Sequence, residues 1–125
     1  MEIITATNAP AAIGPYSHAI THNGTIFCSG QLPFDPATME IKGDTIEAQT
    51  EQAMKNVKIV LEAAGSSIDR IIKASIFLDN IGDFANMNKA YEAALGGHKP
   101  ARSAYQVGHL PKDALVEIEV IAALG

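Results

Sequence analysis

The chain has 125 residues, 47% hydrophobic and 18% charged, with a formal net charge of −5 at pH 7; this length fits one domain, residues 1–125, with a core of its own. Its nine Lys and Arg residues are scattered and its pI is ≈ 5.2, which argues against a nucleic-acid partner, since phosphate contacts need clustered cations. No apolar run is long enough to span a membrane, no basic stretch followed by an apolar block opens the chain, and the single cysteine, Cys28, cannot close an internal disulfide, so the expected location is the cytoplasm.

Residues 3–7 are rich in β-branched side chains and read as a short strand. Residues 10–15 form a turn-rich connector, because Pro10 and Pro15 fix their own φ and bias the preceding residue away from helix. Residues 16–21 and 25–31 flank His22-Asn23-Gly24. Asn-Gly between two strand-like runs predicts a hairpin, since both residues accept positive φ. Residues 32–43 read as a loop.

Residues 44–64 are predicted to be helical, with Ile46, Ala53, Val57, Val60, Leu61 and Ala64 on one side. Asp44 is the expected N-cap, Glu47 completes a capping-box-like pair, and Gly65 is the expected stop. Residues 71–78 form a nearly continuous apolar strand. Asn80 is expected to cap a second helix over residues 81–95, with Phe84, Met87, Tyr91, Ala94 and Leu95 as its apolar stripe and Gly96-Gly97 at its end. Two strands, residues 100–107 and 110–122, complete the chain.

The order β-β-β-α-β-α-β-β predicts an α+β fold, one sheet with both helices on one face. In the last strand Val116, Ile118, Val120 and Ala122 face one way, and Leu115, Glu117, Glu119 and Ile121 the other. The second face needs a cover. Low charge with a mean hydropathy of +0.10 points to another subunit as that cover.

Charges inside apolar strands need an explanation. Arg102 offers a planar fork that matches a carboxylate, with small Ala104 on the same face; it also reads as an edge-strand charge that deters aggregation. Glu117 and Glu119 share a face about 7 Å apart by the strand rise. Glu117 reads as a general base or as an ion-pair partner of Arg102 or Lys73. Tyr16, pinned behind Gly14-Pro15, either closes a pocket or packs in the core. Ser29-Gly30-Gln31 either lets a ligand approach the backbone or makes a bend. His18 and His22 lie about 13 Å apart along a strand, too far to share a metal ion, so no metal site is expected. Cys28 reads as a small hydrophobe.

Four segments, 9–17 (Ala-Pro-Ala-Ala-Ile-Gly-Pro-Tyr-Ser), 29–33 (Ser-Gly-Gln-Leu-Pro), 100–103 (Pro-Ala-Arg-Ser) and 110–119 (Leu-Pro-Lys-Asp-Ala-Leu-Val-Glu-Ile-Glu), resemble the RidA/YjgF family of imine/enamine deaminases. The resemblance runs the length of the chain. It implies a chorismate-mutase-like fold and a homotrimer whose sheets enclose a barrel-like centre, with sites at the subunit interfaces. The implied reaction is cofactor-independent hydrolysis of 2-imino acids such as 2-iminopropanoate and 2-iminobutanoate to 2-keto acids and ammonia. These are tautomers of enamines such as 2-aminoacrylate, which pyridoxal-phosphate enzymes release. By the same resemblance Arg102 grips the substrate carboxylate, Glu117 holds the attacking water, and Tyr16 stands at the mouth of the site. Ser29, Gly30 and Asn88 match positions in or near the pocket. Ala104 stands where the family often carries cysteine, which leaves a backbone N–H and no thiol for a substrate oxygen. Two other classes remain open: a trimeric module that binds a small carboxylate without turnover, and an endoribonuclease, the latter disfavoured by the acidic pI.

Overall fold

Asn23 and Gly24 take φ values of 50° and 77°, the double left-handed turn a tight hairpin demands. They join β2 (Ala19–His22) to β3 (Thr25–Cys28), and β1 (Glu2–Ile4) pairs with the free side of β2. The computed structural model describes residues 1–125. It continues with α1 (Ile46–Ala63), β4 (Ile71–Leu78), α2 (Phe84–Leu95), β5 (Ala101–Gln106) and β6 (Val116–Ala123).

The six strands form one sheet in the order β1-β2-β3-β6-β4-β5. The last strand in the chain inserts between β3 and β4 and runs antiparallel to both. β4 and β5 are parallel, so their connection must cross over, and α2 makes that crossover. Val116, Ile118, Val120 and Ala122 are buried, together with Ile76 and Leu78 of β4, Val57, Val60 and Leu61 of α1, and Met87, Tyr91 and Leu95 of α2. Each buried aliphatic side chain of this kind contributes about 1.5–3 kcal/mol. Both helices therefore cover one face, the predicted α+β arrangement.

The other face is open. Cross-strand register aligns Ile3, Ile20, Phe27 and Ile121 in one row across it. Ile3 is 66% exposed and Phe27 47%, while Ile20 and Ile121 between and beside them are half-buried.

Several element ends differ from expectation, most of them where a side chain takes a backbone N–H. The N-cap of α1 is Thr45, whose Oγ1 accepts the Ala48 N–H at 3.1 Å, in place of Asp44. The helix does stop at Gly65 (φ 84°), where the N–H groups of Gly65 and Ser66 close onto the carbonyls of Glu62 and Leu61. β1 ends at Ile4, since the Ala6 N–H goes to the ring of His18. Asn80 caps a 3-10 turn, Ile81–Asp83, and α2 proper starts at Phe84. Pro111–Asp113 forms another 3-10 turn, so the last strand begins at Val116 instead of residue 110.

Candidate functional site

The site forms where β3 fails to continue. Pairing runs to Phe27↔Ile121 and resumes at an isolated bridge, Gln31↔Ile118. Across this gap one side advances four residues, 27 to 31, and the other three, 121 to 118. The extra residue bulges Ser29-Gly30 out of the ladder. The Ser29 N–H instead bonds the His18 carbonyl at 3.0 Å, and its Oγ–H bonds the Ser17 carbonyl at 2.6 Å.

The side chain of Glu117 occupies the room beside the bulge. A Cβ placed on Gly30 would lie 2.9 Å from both Cδ and Oε2 of Glu117, so the glycine is what lets the carboxylate sit there. Of the two readings of Ser29-Gly30-Gln31, the structure shows the bend.

An open cavity of ≈ 540 Å³ lies over this carboxylate, lined by Tyr16, Ser29, Gly30, Lys112, Glu117 and Glu119, with apolar walls from Ile13, Leu32, Phe34 and Met39. Tyr16 is 51% exposed and its hydroxyl accepts the Ile13 N–H at 3.4 Å. It belongs to the cavity wall and not to the core. Burial pushes the Glu117 carboxyl above the ordinary carboxylate range, and the negative charge of Glu119 pushes the same way. A half-buried carboxylate that binds protons more tightly than usual is suited to taking a proton from water.

Arg102 lies elsewhere in the same chain. Register places Arg102 beside Ala74, and Ala74 beside Val120, so the arginine points to the helix-covered face. Glu117 pairs with Phe77 and lies on the open face, with Tyr105 beyond. The two residues are on opposite sides of the sheet, and an ion pair between them within one chain is ruled out. Arg102 Nη1 donates to Asn88 Oδ1 at 2.5 Å, and its guanidinium sits 5.2 Å from the Phe84 ring centroid and 5.3 Å from that of Tyr91. Arg102 and Asn88 line a second cavity, of ≈ 910 Å³, with Tyr91, His98 and Lys99. Burial raises the Tyr91 phenol, and Arg102 partly offsets that. Ala104 is half-buried and lies beside Ile76 on the Arg102 face. Tyr16, Ser29, Gly30 and Glu117 therefore come together, while Arg102, Asn88 and Ala104 lie on the other face of the sheet. Lys73 makes no ion pair with Glu117, and β5, which carries the arginine, is an edge strand.

Three supporting residues escaped the sequence reading. Asn56, fully buried, donates through Nδ2 to the carbonyls of Leu32 and Phe34, both at 2.9 Å. Gln52 donates to the Phe34 carbonyl at 3.3 Å. Gln49 donates to the Gly43 carbonyl at 3.0 Å and accepts the Leu115 N–H at 2.8 Å. Together they hold the 32–43 loop, and hence Leu32 and Phe34, against the cavity. Their signal was visible: three amides at positions 49, 52 and 56 fall on one face of a helix.

No three His, Cys, Asp or Glu side chains are grouped closely enough to hold a metal ion. Cys28 is buried, and burial pushes its thiol up to about 12, which makes it a poor nucleophile. No helix is long and apolar enough to cross a membrane.

Known proteins are similar to this chain over nearly its whole length. A RutC family protein of Pyrococcus horikoshii is 49% identical over 97% of this chain and 96% of its own. The 2-iminobutanoate/2-iminopropanoate deaminase of Escherichia coli is 44% identical over 95% and 94%. The crystal structure of E. coli TdcF with bound serine superposes with a TM-score of 0.94 at 40% identity, covering 100% of both chains. A family model described as Endoribonuclease L-PSP matches residues 6–124. With a bulge that seats Glu117, an edge strand that carries Arg102, and a match spanning nearly every residue, the chain belongs to the Endoribonuclease L-PSP family, the RidA/YjgF proteins.

Proposed function

We propose that this chain hydrolyses 2-imino acids such as 2-iminopropanoate and 2-iminobutanoate to 2-keto acids and ammonia. The observation that carries this reading is the half-buried Glu117 carboxylate, raised in proton affinity and seated against Gly30 at the floor of an open cavity. Glu117 takes a proton from water as the oxygen adds to the imine carbon and passes it to the imine nitrogen, giving a neutral carbinolamine. Glu117 then takes the carbinolamine hydroxyl proton as the C=O forms and delivers it to the nitrogen as the C–N bond breaks, so that ammonia leaves and the carboxylate is restored. Water is the only co-reactant. General base catalysis supplies about 10²–10⁴-fold, and positioning of the water adds to it. Relatives named as imine deaminases support the same reading.

The substrate carboxylate needs a cation, and Arg102 is on the wrong face of its own sheet to serve Glu117. The chain therefore acts as a homotrimer in which the edge strand β5 of one copy brings Arg102 to the Glu117 cavity of the next. The apolar row Ile3, Ile20, Phe27 and Ile121, exposed at Ile3 and Phe27 and half-buried at Ile20 and Ile121, supplies surface for that association. Once paired with a carboxylate, the arginine fork contributes about 1.5–3 kcal/mol. The expected compartment is the cytoplasm, where Cys28 stays reduced.

Ribonuclease activity, the wording of the family description, fits less well. The nine Lys and Arg residues are scattered, so no basic track is available to hold an RNA backbone. The test is to generate the imine in situ with a threonine dehydratase and follow keto-acid release. Acceleration over the uncatalysed rate is expected. Release at the uncatalysed rate, together with tight binding of 2-oxobutanoate, would make the chain a carboxylate-binding module instead.

A further inference from the structure

We propose that His18 is a positioning residue of this site: its imidazole bridges the strap of residues 6–16 to the sheet and so holds one wall of the cavity over Glu117. This rests on reading the Glu117 cavity as the substrate pocket.

The ring is 6% exposed. Nε2 lies 2.7 Å from the Pro10 carbonyl and Nδ1 lies 2.9 Å from the Ala6 N–H. A carbonyl only accepts, so Nε2 carries the hydrogen, and an N–H only donates, so Nδ1 keeps its lone pair. The imidazole is neutral, in one tautomer, with both nitrogens committed to the strap. No other hydrogen bond ties residues 6–10 to the sheet; the Ala9 N–H returns to the Ala6 carbonyl within the strap.

Downstream of this anchor the strap carries Ala11, Ile13 and Tyr16 into the cavity wall. Behind it, among His18, Gly30 and Gln31, lies a gap of ≈ 30 Å³, about the room one water occupies. Ala6, Ala9 and Pro10 of the strap are buried, and the imidazole fixes Ala6 and Pro10 to the residue that leads into β2. The backbone of the same residue works on the floor, since the His18 carbonyl accepts the Ser29 N–H at 3.0 Å. One buried residue thus links the Tyr16 wall to the Ser29-Gly30 bulge that seats Glu117.

The bridge requires a donor and an acceptor and no charge. His18→Gln offers both through its amide, whereas His18→Leu fills the space and offers neither. In His18→Leu we expect KM and the Kd for 2-oxobutanoate to rise by up to about thirtyfold, the factor that two lost hydrogen bonds carry, with kcat nearly unchanged. His18→Gln should recover most of both. A lowered Tm in His18→Leu with KM unmoved, or no rescue by His18→Gln, overturns the proposal. Should His18→Leu not fold, the wild-type protein carries the test. Nitrogen-15 NMR should show the neutral Nε2–H tautomer, and saturating 2-oxobutanoate should slow exchange of the Ala6 amide, because coupling between strap and ligand is reciprocal. The other tautomer, or an Ala6 amide indifferent to ligand, overturns it. Absence of imine turnover alongside His18-dependent binding of 2-oxobutanoate sinks only the deaminase reading. Normal turnover with an unmoved KM in His18→Leu sinks only the bridge.

Discussion

The side chain that Gly30 lacks is the space the Glu117 carboxylate fills: a Cβ there would lie 2.9 Å from Glu117 Cδ and Oε2. The atom in the way is the far end of a flexible side chain, so Gly30→Ala should fold. The carboxylate swings aside at little cost to stability, and the loss falls on the chemistry. We expect kcat to fall at least tenfold, since displacing a base by about 1 Å costs that much or more, with a Tm within a few degrees of wild type. Unchanged kcat would show that the carboxylate position does not matter.

Glu117→Gln separates catalysis from stability. Removing the base should lower kcat by about 10²–10⁴-fold. The raised proton affinity of Glu117 means the folded chain holds that proton to higher pH than the unfolded chain. Its contribution to stability is therefore favourable at low pH and is lost as pH rises from the ordinary carboxylate value through the raised one. At pH 7 the glutamine variant should melt at the same temperature or higher, and that advantage should vanish below about pH 4. A variant that unfolds at pH 7 would make Glu117 structural.

Glu119 raises the proton affinity of Glu117 through its charge. Glu119→Gln removes that charge, so the acid limb of the pH–rate profile should move to lower pH while the maximal rate holds. An acid limb that stays in place, measured on kcat/KM, would mean that Glu117 does not set it.

Arg102 and Glu117 on opposite faces of one sheet predict complementation. Arg102→Ala should lower kcat/KM by roughly 10- to 150-fold, the worth of the lost fork, and Arg102→Lys should recover little because the planar fork is lost. Mixed and reassembled with the impaired Glu117→Gln, Arg102→Ala subunits should regain activity at about a quarter of the sites, the share of random pairings that unites an intact arginine with an intact glutamate. No recovery, in a mixture shown by mass to contain hybrid trimers, would place both groups in one chain.

The cap of α1 gives a stability test away from the site. Thr45→Ala removes the acceptor of the Ala48 N–H and should cost about 1 kcal/mol, a shift of a few degrees in Tm. Asp44→Ala should cost much less.

Much of the fold is legible in the sequence. The Asn23-Gly24 hairpin, the Gly65 stop and the burial of Val116, Ile118, Val120 and Ala122 follow from period and turn chemistry, which are local. Element ends were less legible. Ala6 leaves the β1 edge for a histidine twelve residues away, and Thr45 competes with Asp44 for one N–H group; neither choice is visible in a short window. The amides Gln49, Gln52 and Asn56 sat in view as a helix face, but their partners lie up to 66 residues away.

The residue types at the site were likewise readable from four short segments. Alternation along β6 set Glu117 opposite to Val116 and Ile118, and alternation along β5 set Arg102 with Ala104. Neither pattern says which face of one strand coincides with which face of another. That depends on register across β4, where Phe77 aligns with Glu117 and Ala74 with Arg102. The sequence by itself determined the elements, the buried stripe and the pair of charges. Only the tertiary structure decided that those charges point to opposite sides of the sheet, because register is a long-range property, and a shift of one residue would have put them on the same side.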